Sequence, residues 1–272
     1  ENDLIADLTD VYNDYASDYL KGVYASYGDR ALNNVTFDGK IMALPGTNTD
    51  SGPSIVWIRS DWTKQLGITI DEDGNKQITI EELEMVANKF MEKNPAKAEN
   101  PIGMAFTPWL TSEDPDGTYS MNSIAYAMGA FPKTWMNVDG KAVYGSLTEE
   151  SKAALAKVAD WFKTGLVDPQ LGTRTWDDIS SLLANGQTGI AFGTWHIPDW
   201  LLNNVRAMDN KATFEAYAIE DANGKVNVKH NDATAGYMVV RKGFEHPEVA
   251  IKIANLFYDK LITTSDLGDK YP

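Results

Sequence analysis

Apolar residues recur at helical spacing in several stretches of the chain. Leu83, Val86, Ala87 and Phe90 share one face, and Thr79 with Glu82 three residues later forms a capping-box signature ahead of them. A second helix is predicted after Ser146, with Glu149 completing a box, Leu155, Val158, Ala159 and Phe162 on one face, and Gly165 as the stop. A third begins at Pro247, a favoured first-turn residue, and carries Ala250, Ile253, Ala254 and Phe257 on one stripe. A shorter helix holds Ile179, Leu182 and Leu183 and ends at Gly186. Residues 1–34 are polar and helix-like, with Leu4, Leu8, Val11, Tyr12 and Tyr15 near helical spacing. These faces read as core rather than as cofactor boxes.

Strand patterns lie between the helices. Val35–Phe37 and Lys40–Leu44 flank the turn dipeptide Asp38-Gly39, and Pro45 ends the pair. The small, polar stretch Gly46–Pro53 reads as a crossing loop. Ser54–Arg59 then reads as a buried strand, followed by a helix led by Asp61 and Trp62 that stops near Gly67. Gly189–Phe192, Lys225–Val228 (after the turn Asn223-Gly224) and Gly236–Val240 are further strand candidates. The alternation predicts an α/β fold with helices packed over sheets, and no internal repeat is present.

A chain of 272 residues is more than one hydrophobic core usually serves, so one large domain or two lobes is expected. The 39 acidic residues against 24 basic ones give a net charge of −15, which opposes phosphate contacts and excludes nucleic acid as the main partner. With no cysteine there is no disulfide framework, no thiol nucleophile and no cysteine metal site. No apolar run approaches bilayer-spanning length, and the opening ENDLIADLTD has neither a basic nor an apolar leader region. An export signal or anchor is therefore expected to have been removed, and the chain reads as a piece of a longer protein.

Four segments in order carry a resemblance: GKIMALP (39–45), WIRSDWTKQLG (57–67), SLLANGQTGIAFGTWHIPDW (181–200) and GYMVVRKGFEHPEVAIKIANLF (236–257). Their order and spacing resemble family 1 extracellular solute-binding proteins, the carbohydrate-capturing components of ABC importers. The resemblance implies a two-lobed, type II periplasmic-binding-protein-like α/β fold with the N-terminal lobe incomplete. Residues 1–45 and 237–272 would form that partial lobe and residues 46–236 the C-terminal lobe. It also implies capture of a carbohydrate, expected to be an oligosaccharide, between the lobes, delivery to permease subunits, an extracellular or periplasmic location, and a lipid anchor absent from this chain. No catalytic role follows, and no cofactor is expected apart from the calcium weighed below.

Sugars present hydroxyls around apolar C–H faces, so their sites combine flat aromatic platforms with directional hydrogen-bonding groups. Of eight tryptophans, Trp195 is the leading candidate, because it follows the strand 189–192 through Gly193-Thr194 and so falls at a strand's carboxyl end. The resemblance places it at the cleft tryptophan, and a core role is the alternative. Asp199 and His196 continue the same loop, and Asp199 is suited to accept from sugar hydroxyls. Trp109 and Trp135 are second platforms or core residues, whereas Trp57, Trp62 and Trp161 read as structural. Asp50, with Asn48, Thr49 and Ser51, lies in the first crossing, where closure would bend the chain. Arg59 and Asp61 read as a local ion pair.

Residues 71–82 match a twelve-residue calcium loop, with Asp71, Asp73, Asn75, the Gln77 carbonyl and Glu82 as oxygen donors. Lys76 stands where the loop's glycine is expected, and the alternative is a polar hairpin turning at Asp73-Gly74. No nucleophile elbow, zincin helix, phosphate loop or dinucleotide fingerprint is present, and His196, His230 and His246 are isolated in sequence. A peptide or polyamine ligand on the same fold, and a glycan-cleaving carboxylate pair, remain alternatives to sugar capture.

Overall fold

The computed structural model describes residues 3–28, 30–47, 52–112, 117–230 and 234–262. The chain forms two compact units, one of residues 1–50 with 231–272 and one of residues 51–230.

The first unit opens with α1 (Thr9–Tyr15), α2 (Asp18–Ser26) and α3 (Arg30–Asn33), followed by the paired strands β1 (Thr36–Phe37) and β2 (Lys40–Ile41) and by β3 (Leu44–Thr47). Asp38 and Gly39 both take positive φ, the backbone that a two-residue hairpin of this twist requires. Of the predicted N-terminal stripe, Leu8 and Tyr12 are buried while Leu4 and Tyr15 stay exposed. Tyr24 is buried among them and donates its hydroxyl to the Pro45 carbonyl at 2.8 Å.

The second unit runs through β4 (Ile55–Arg59), α4 (Ser60–Leu66), β5 (Gln77–Ile78), α5 (Ile80–Lys93), α6 (Asn122–Ala127), β6 (Trp135–Val138), β7 (Lys141–Tyr144), α7 (Glu149–Thr164), α8 (Trp176–Ala184), β8 (Ile190–Gly193), α9 (Asn203–Met208) and β9 (Phe214–Ile219). Its four-stranded sheet has the order β5-β9-β4-β8, with β4 antiparallel to both neighbours and β5 parallel to β9. The chain then re-enters the first unit as β10 (Thr234–Met238), antiparallel to β3, and α10 (Glu248–Leu256).

Several expectations are corrected. The strand expected at Lys225–Val228 is irregular backbone after a turn. β4 pairs instead with β9 (Phe214–Ile219), a strand that was not predicted because its polar-interrupted sequence FEAYAI lacked a strong signal. α7 is capped by Thr148, whose side chain accepts from the Ser151 amide, while Ser146 Oγ accepts from the Lys133 amide instead. α7 buries Ala154, Val158 and Trp161, and leaves Leu155, Ala159 and Phe162 outside the core. α10 buries Ala250, Ile251 and Ala254 and exposes Ile253, and Phe257 just after its end is also exposed. Both helices are apolar on more than one side, so packing against neighbours selected the face that periodicity left open.

α5 follows the predicted pattern, with its capping box formed and Leu83, Val86, Ala87 and Phe90 buried. Phe90 meets the buried Trp62 ring edge-on at 5.1 Å. Gly189 lies directly against that ring, since a Cβ there would fall 2.6 Å from it. This packing seats the start of β8 under the helical layer. At the far end of β4, Arg59 is buried and donates to both carboxylate oxygens of Asp61, at 2.8 and 2.7 Å, and to Asp209 at 2.6 Å. The guanidinium also lies 4.6 Å from the Trp62 ring centroid.

Candidate functional site

β8 delivers the leading candidate. Ile190, Ala191 and Phe192 are buried, and the strand ends at Gly193 opposite Ile55, the first residue of β4. Gly193 has φ 155°, and a Cβ there would stand 2.5 Å from the Ile197 side chain, so only glycine lets the chain turn this tightly. Thr194 is fully buried; its carbonyl accepts from Trp57 Nε1 at 3.3 Å and its hydroxyl is 3.0 Å from His196 Nδ1. Ile197, Leu201 and Leu202 plug the turn into the core. With these neighbours held, Trp195 is turned outward and is 66% exposed. The core alternative for Trp195 is therefore set aside.

Trp195 is one end of an aromatic row. The His196 ring lies 5.7 Å from it, Trp200 stacks 6.5 Å from His196 at 18°, and Trp176 stacks 6.0 Å from Trp200 at 17°. Trp176 is the first residue of α8, set there by a capping box in which Thr175 accepts from the Asp178 amide and Asp178 accepts from Thr175. Beneath the row, Tyr119 is buried and presents its ring at steep angles to both tryptophans, 5.1 Å from Trp176 and 6.4 Å from Trp200. Its amide donates to the Phe192 carbonyl at 3.1 Å and its carbonyl accepts from the Thr107 amide at 2.8 Å, which ties it to β8. Burial, and the nearby Asp177 carboxylate, push the Tyr119 phenol well above its ordinary pKa, so it stays neutral. Trp176 and Tyr119 were not among the sequence candidates. The Thr175/Asp178 spacing was readable as a helix start, but nothing local indicated that Trp176 would meet Trp200.

The other candidates lie elsewhere in this unit. Trp109 is 54% exposed and lines an apolar cavity of about 220 Å³ with Leu110, Met121, Ala154 and Leu155. Trp135 is 70% exposed at the start of β6, and its ring lies 5.1 Å from that of Tyr144. Asp199 is exposed in the first turn of the short π-helical segment Pro198–Leu202 that leads into α9, and its carboxylate has no hydrogen-bond or ion-pair partner among the described residues. Asp50 lies outside the described residues. Trp62 and Trp161 are buried and Trp57 is half-buried, in keeping with structural roles.

The loop 71–82 is a turn leading into β5, which pairs in parallel with β9, so the hairpin alternative is not what forms. Lys76 takes φ 63°, supplying with a lysine the left-handed turn for which glycine was expected. Asp71 accepts from the Lys76 amide at 3.0 Å, Asp73 from the Asn75 amide at 3.2 Å, and Asn75 from the Gln77 amide at 2.7 Å. Glu82 accepts from the Thr79 amide at 2.8 Å and from the Asp71 amide at 3.3 Å. The donor set and backbone suit a hard cation. The carboxylates are nevertheless turned onto the loop's own amides, and among the described residues no three His, Cys, Asp or Glu side chains converge as a metal site.

The fold is that of two-lobed, periplasmic-binding-protein-like solute-binding proteins, as its likeness to solved structures shows. Three of these neighbours are informative. One is an HMO-binding ABC-transporter-associated solute-binding protein from Bifidobacterium longum infantis, 19% identical with a TM-score of 0.68, covering 94% of this chain and 53% of its own. Another is the S. pneumoniae ABC-transporter substrate-binding protein FusA, as an EF-hand mutant with fructo-nystose, at 18% identity and TM-score 0.65, covering 94% and 51%. The third is the alginate-binding protein AlgQ2 without calcium ion, at 17% identity and TM-score 0.63, also covering 94% and 51%. The chain thus spans about half the length of these neighbours. No family model and no curated protein matches the sequence.

Proposed function

We propose that this chain is part of an extracellular substrate-binding protein of an ABC importer that captures an oligosaccharide and delivers it to membrane permease subunits. The observation that carries the reading is Trp195, two-thirds exposed at the carboxyl end of β8 and continued by an aromatic row, on a fold shared with sugar-binding proteins. In this reading, residues 1–45 with 237–272 belong to one lobe and residues 46–236 to the other. Asp50 belongs to the segment that links the lobes, and a lipid anchor outside these residues tethers the protein. Trp195, His196 and Asp199 contact the ligand from one lobe, and Trp109 and Trp135 serve as outlying platforms. The reaction is binding without turnover.

The test is calorimetry and thermal shift against mono- and oligosaccharides, with peptides and polyamines as controls and the spent solutions analysed for cleavage products. Trp195→Ala is expected to weaken sugar binding by about 30-fold, the size of an interface hot spot near 2 kcal/mol. Its melting temperature is expected to hold, because an exposed side chain contributes within about 0.5 kcal/mol. Unchanged affinity would refute the platform, and cleavage products would refute binding without turnover.

Calcium at residues 71–82 is the second part of the reading, favoured by the left-handed Lys76 and by the EF-hand of FusA. Asp71, Asp73, Asn75, the Gln77 carbonyl and Glu82 would hold the ion, which would brace the start of α5 and play no part in chemistry. A saturable rise in melting temperature with calcium, reversed by chelator and absent in Asp71→Asn/Asp73→Asn, is expected. A melting temperature indifferent to calcium would leave the loop as a polar turn.

A further inference from the structure

The charges around the aromatic row narrow the ligand class, given the sugar-binding reading above. The acidic side chains next to the row in the chain are Asp177 and Asp178, which follow Trp176, and Asp199, which precedes Trp200. The carboxylates of Asp177 and Asp199 carry no hydrogen bond or ion pair among the described residues. Two features near Trp176 would ordinarily attract an anion, and both are already taken. Arg174, two residues before it, is committed to the buried Asp168, with Nε 2.5 Å from one carboxylate oxygen. The amino-terminal end of α8, whose amides would favour negative charge, is closed by Thr175 and by the Asp178 carboxylate.

We infer that the row selects uncharged oligosaccharides and rejects uronate or sulfated ones. An uncharged pyranose chain lays its C–H faces on the exposed rings of Trp195 and Trp176 and donates hydroxyls to Asp199 and Asp177, each of which can only accept. A uronate would set its carboxylate against the same two groups with no free cation adjoining them in sequence, and rejection by like charge is an effective source of specificity. The row also favours length. Its two exposed tryptophans stand at opposite ends, with half-buried His196 and Trp200 between them, so a monosaccharide reaches only one platform.

The experiment is tryptophan-fluorescence and calorimetric titration of the 272-residue chain with two panels of tetrasaccharides, one neutral (malto-, xylo-, fructo- and N-acetylchito-) and one acidic (mannuronate, guluronate and galacturonate), plus glucose. At least one neutral tetrasaccharide is expected to bind ten-fold or more tighter than every acidic one and than glucose. In Asp177→Asn/Asp199→Asn, which keeps the rings, the gap between neutral and acidic ligands is expected to shrink by at least five-fold. An acidic tetrasaccharide that binds as tightly as the best neutral one would overturn the selectivity while leaving the sugar-binding reading standing. Binding of neither panel would overturn both.

Discussion

Arg59→Met tests how the second unit is held together. The guanidinium makes two hydrogen bonds to Asp61 and one to Asp209, and it packs against the rings of Trp62 and Phe214 at 4.6 and 5.7 Å. Burial works against its charge, but the two carboxylates outweigh that and raise its pKa above the ordinary value. Methionine keeps most of the stem volume and the ring contacts, so the change isolates the ionic part. Removing one member of a buried ion pair costs about 3–5 kcal/mol when the partner is left buried and uncompensated. Here the abandoned carboxylates are 26% and 45% exposed and recover part of their hydration, which places the expected loss at the low end, about 3 kcal/mol. For a unit of this size, thermal denaturation should show a fall of roughly 6–12 °C. The pH dependence gives a second check. Burial raises the Asp209 pKa somewhat, but hydrogen bonds from Arg59 and the Lys211 amide bring it below the ordinary carboxylate value. Its stabilisation is therefore present above the unfolded pKa, near 4, and is lost as pH falls through the lower folded value. The wild-type advantage over Arg59→Met should be constant from pH 5 to 8 and shrink below pH 4. A loss under about 1 kcal/mol at pH 7 would mean that solvent already screens the cluster and would refute this account.

Two further outcomes are expected. Burial raises the phenol pKa values of Tyr12, Tyr24, Tyr119, Tyr126 and Tyr217, that of Tyr126 to about 12. The folded state then holds protons that the unfolded state has lost, so stability should decline once pH passes the ordinary tyrosine value near 10, at up to about 1.4 kcal/mol per pH unit for each such group. Denaturant melts between pH 8 and 11.5 check this, and a flat profile would show that the phenols ionise in place. Gly145→Ala would put a Cβ 1.9 Å from the Phe131 carbonyl oxygen, at a point where Ser151 Oγ also holds the Gly145 carbonyl at 2.6 Å. A loss of about 3 kcal/mol or more in urea denaturation is expected, and a loss below about 1 kcal/mol would show that the β6–β7 hairpin yields freely.

What the sequence determined by itself was local. The capping box at Thr79, the Asp38-Gly39 hairpin, the buried strand ending at Arg59 and the turn that carries Trp195 depend on neighbours a few residues apart, so their patterns were legible. The ion pair of Arg59 with Asp61 was legible for the same reason. The tertiary structure decided what depends on distant partners. Helices α7 and α10 carry apolar residues on more than one side, and only their docking chose Trp161 and Ile251 over Phe162 and Phe257. The strand β9 has a mixed polar pattern and is held by its pairing with β4, far away in the chain. The candidate site is of this second kind. Trp195 was visible as the end of a strand, but Tyr119, Trp176 and Trp200 meet only because the sheet and α8 pack together, and aromatic rings far apart in sequence carry no signal of their eventual contact.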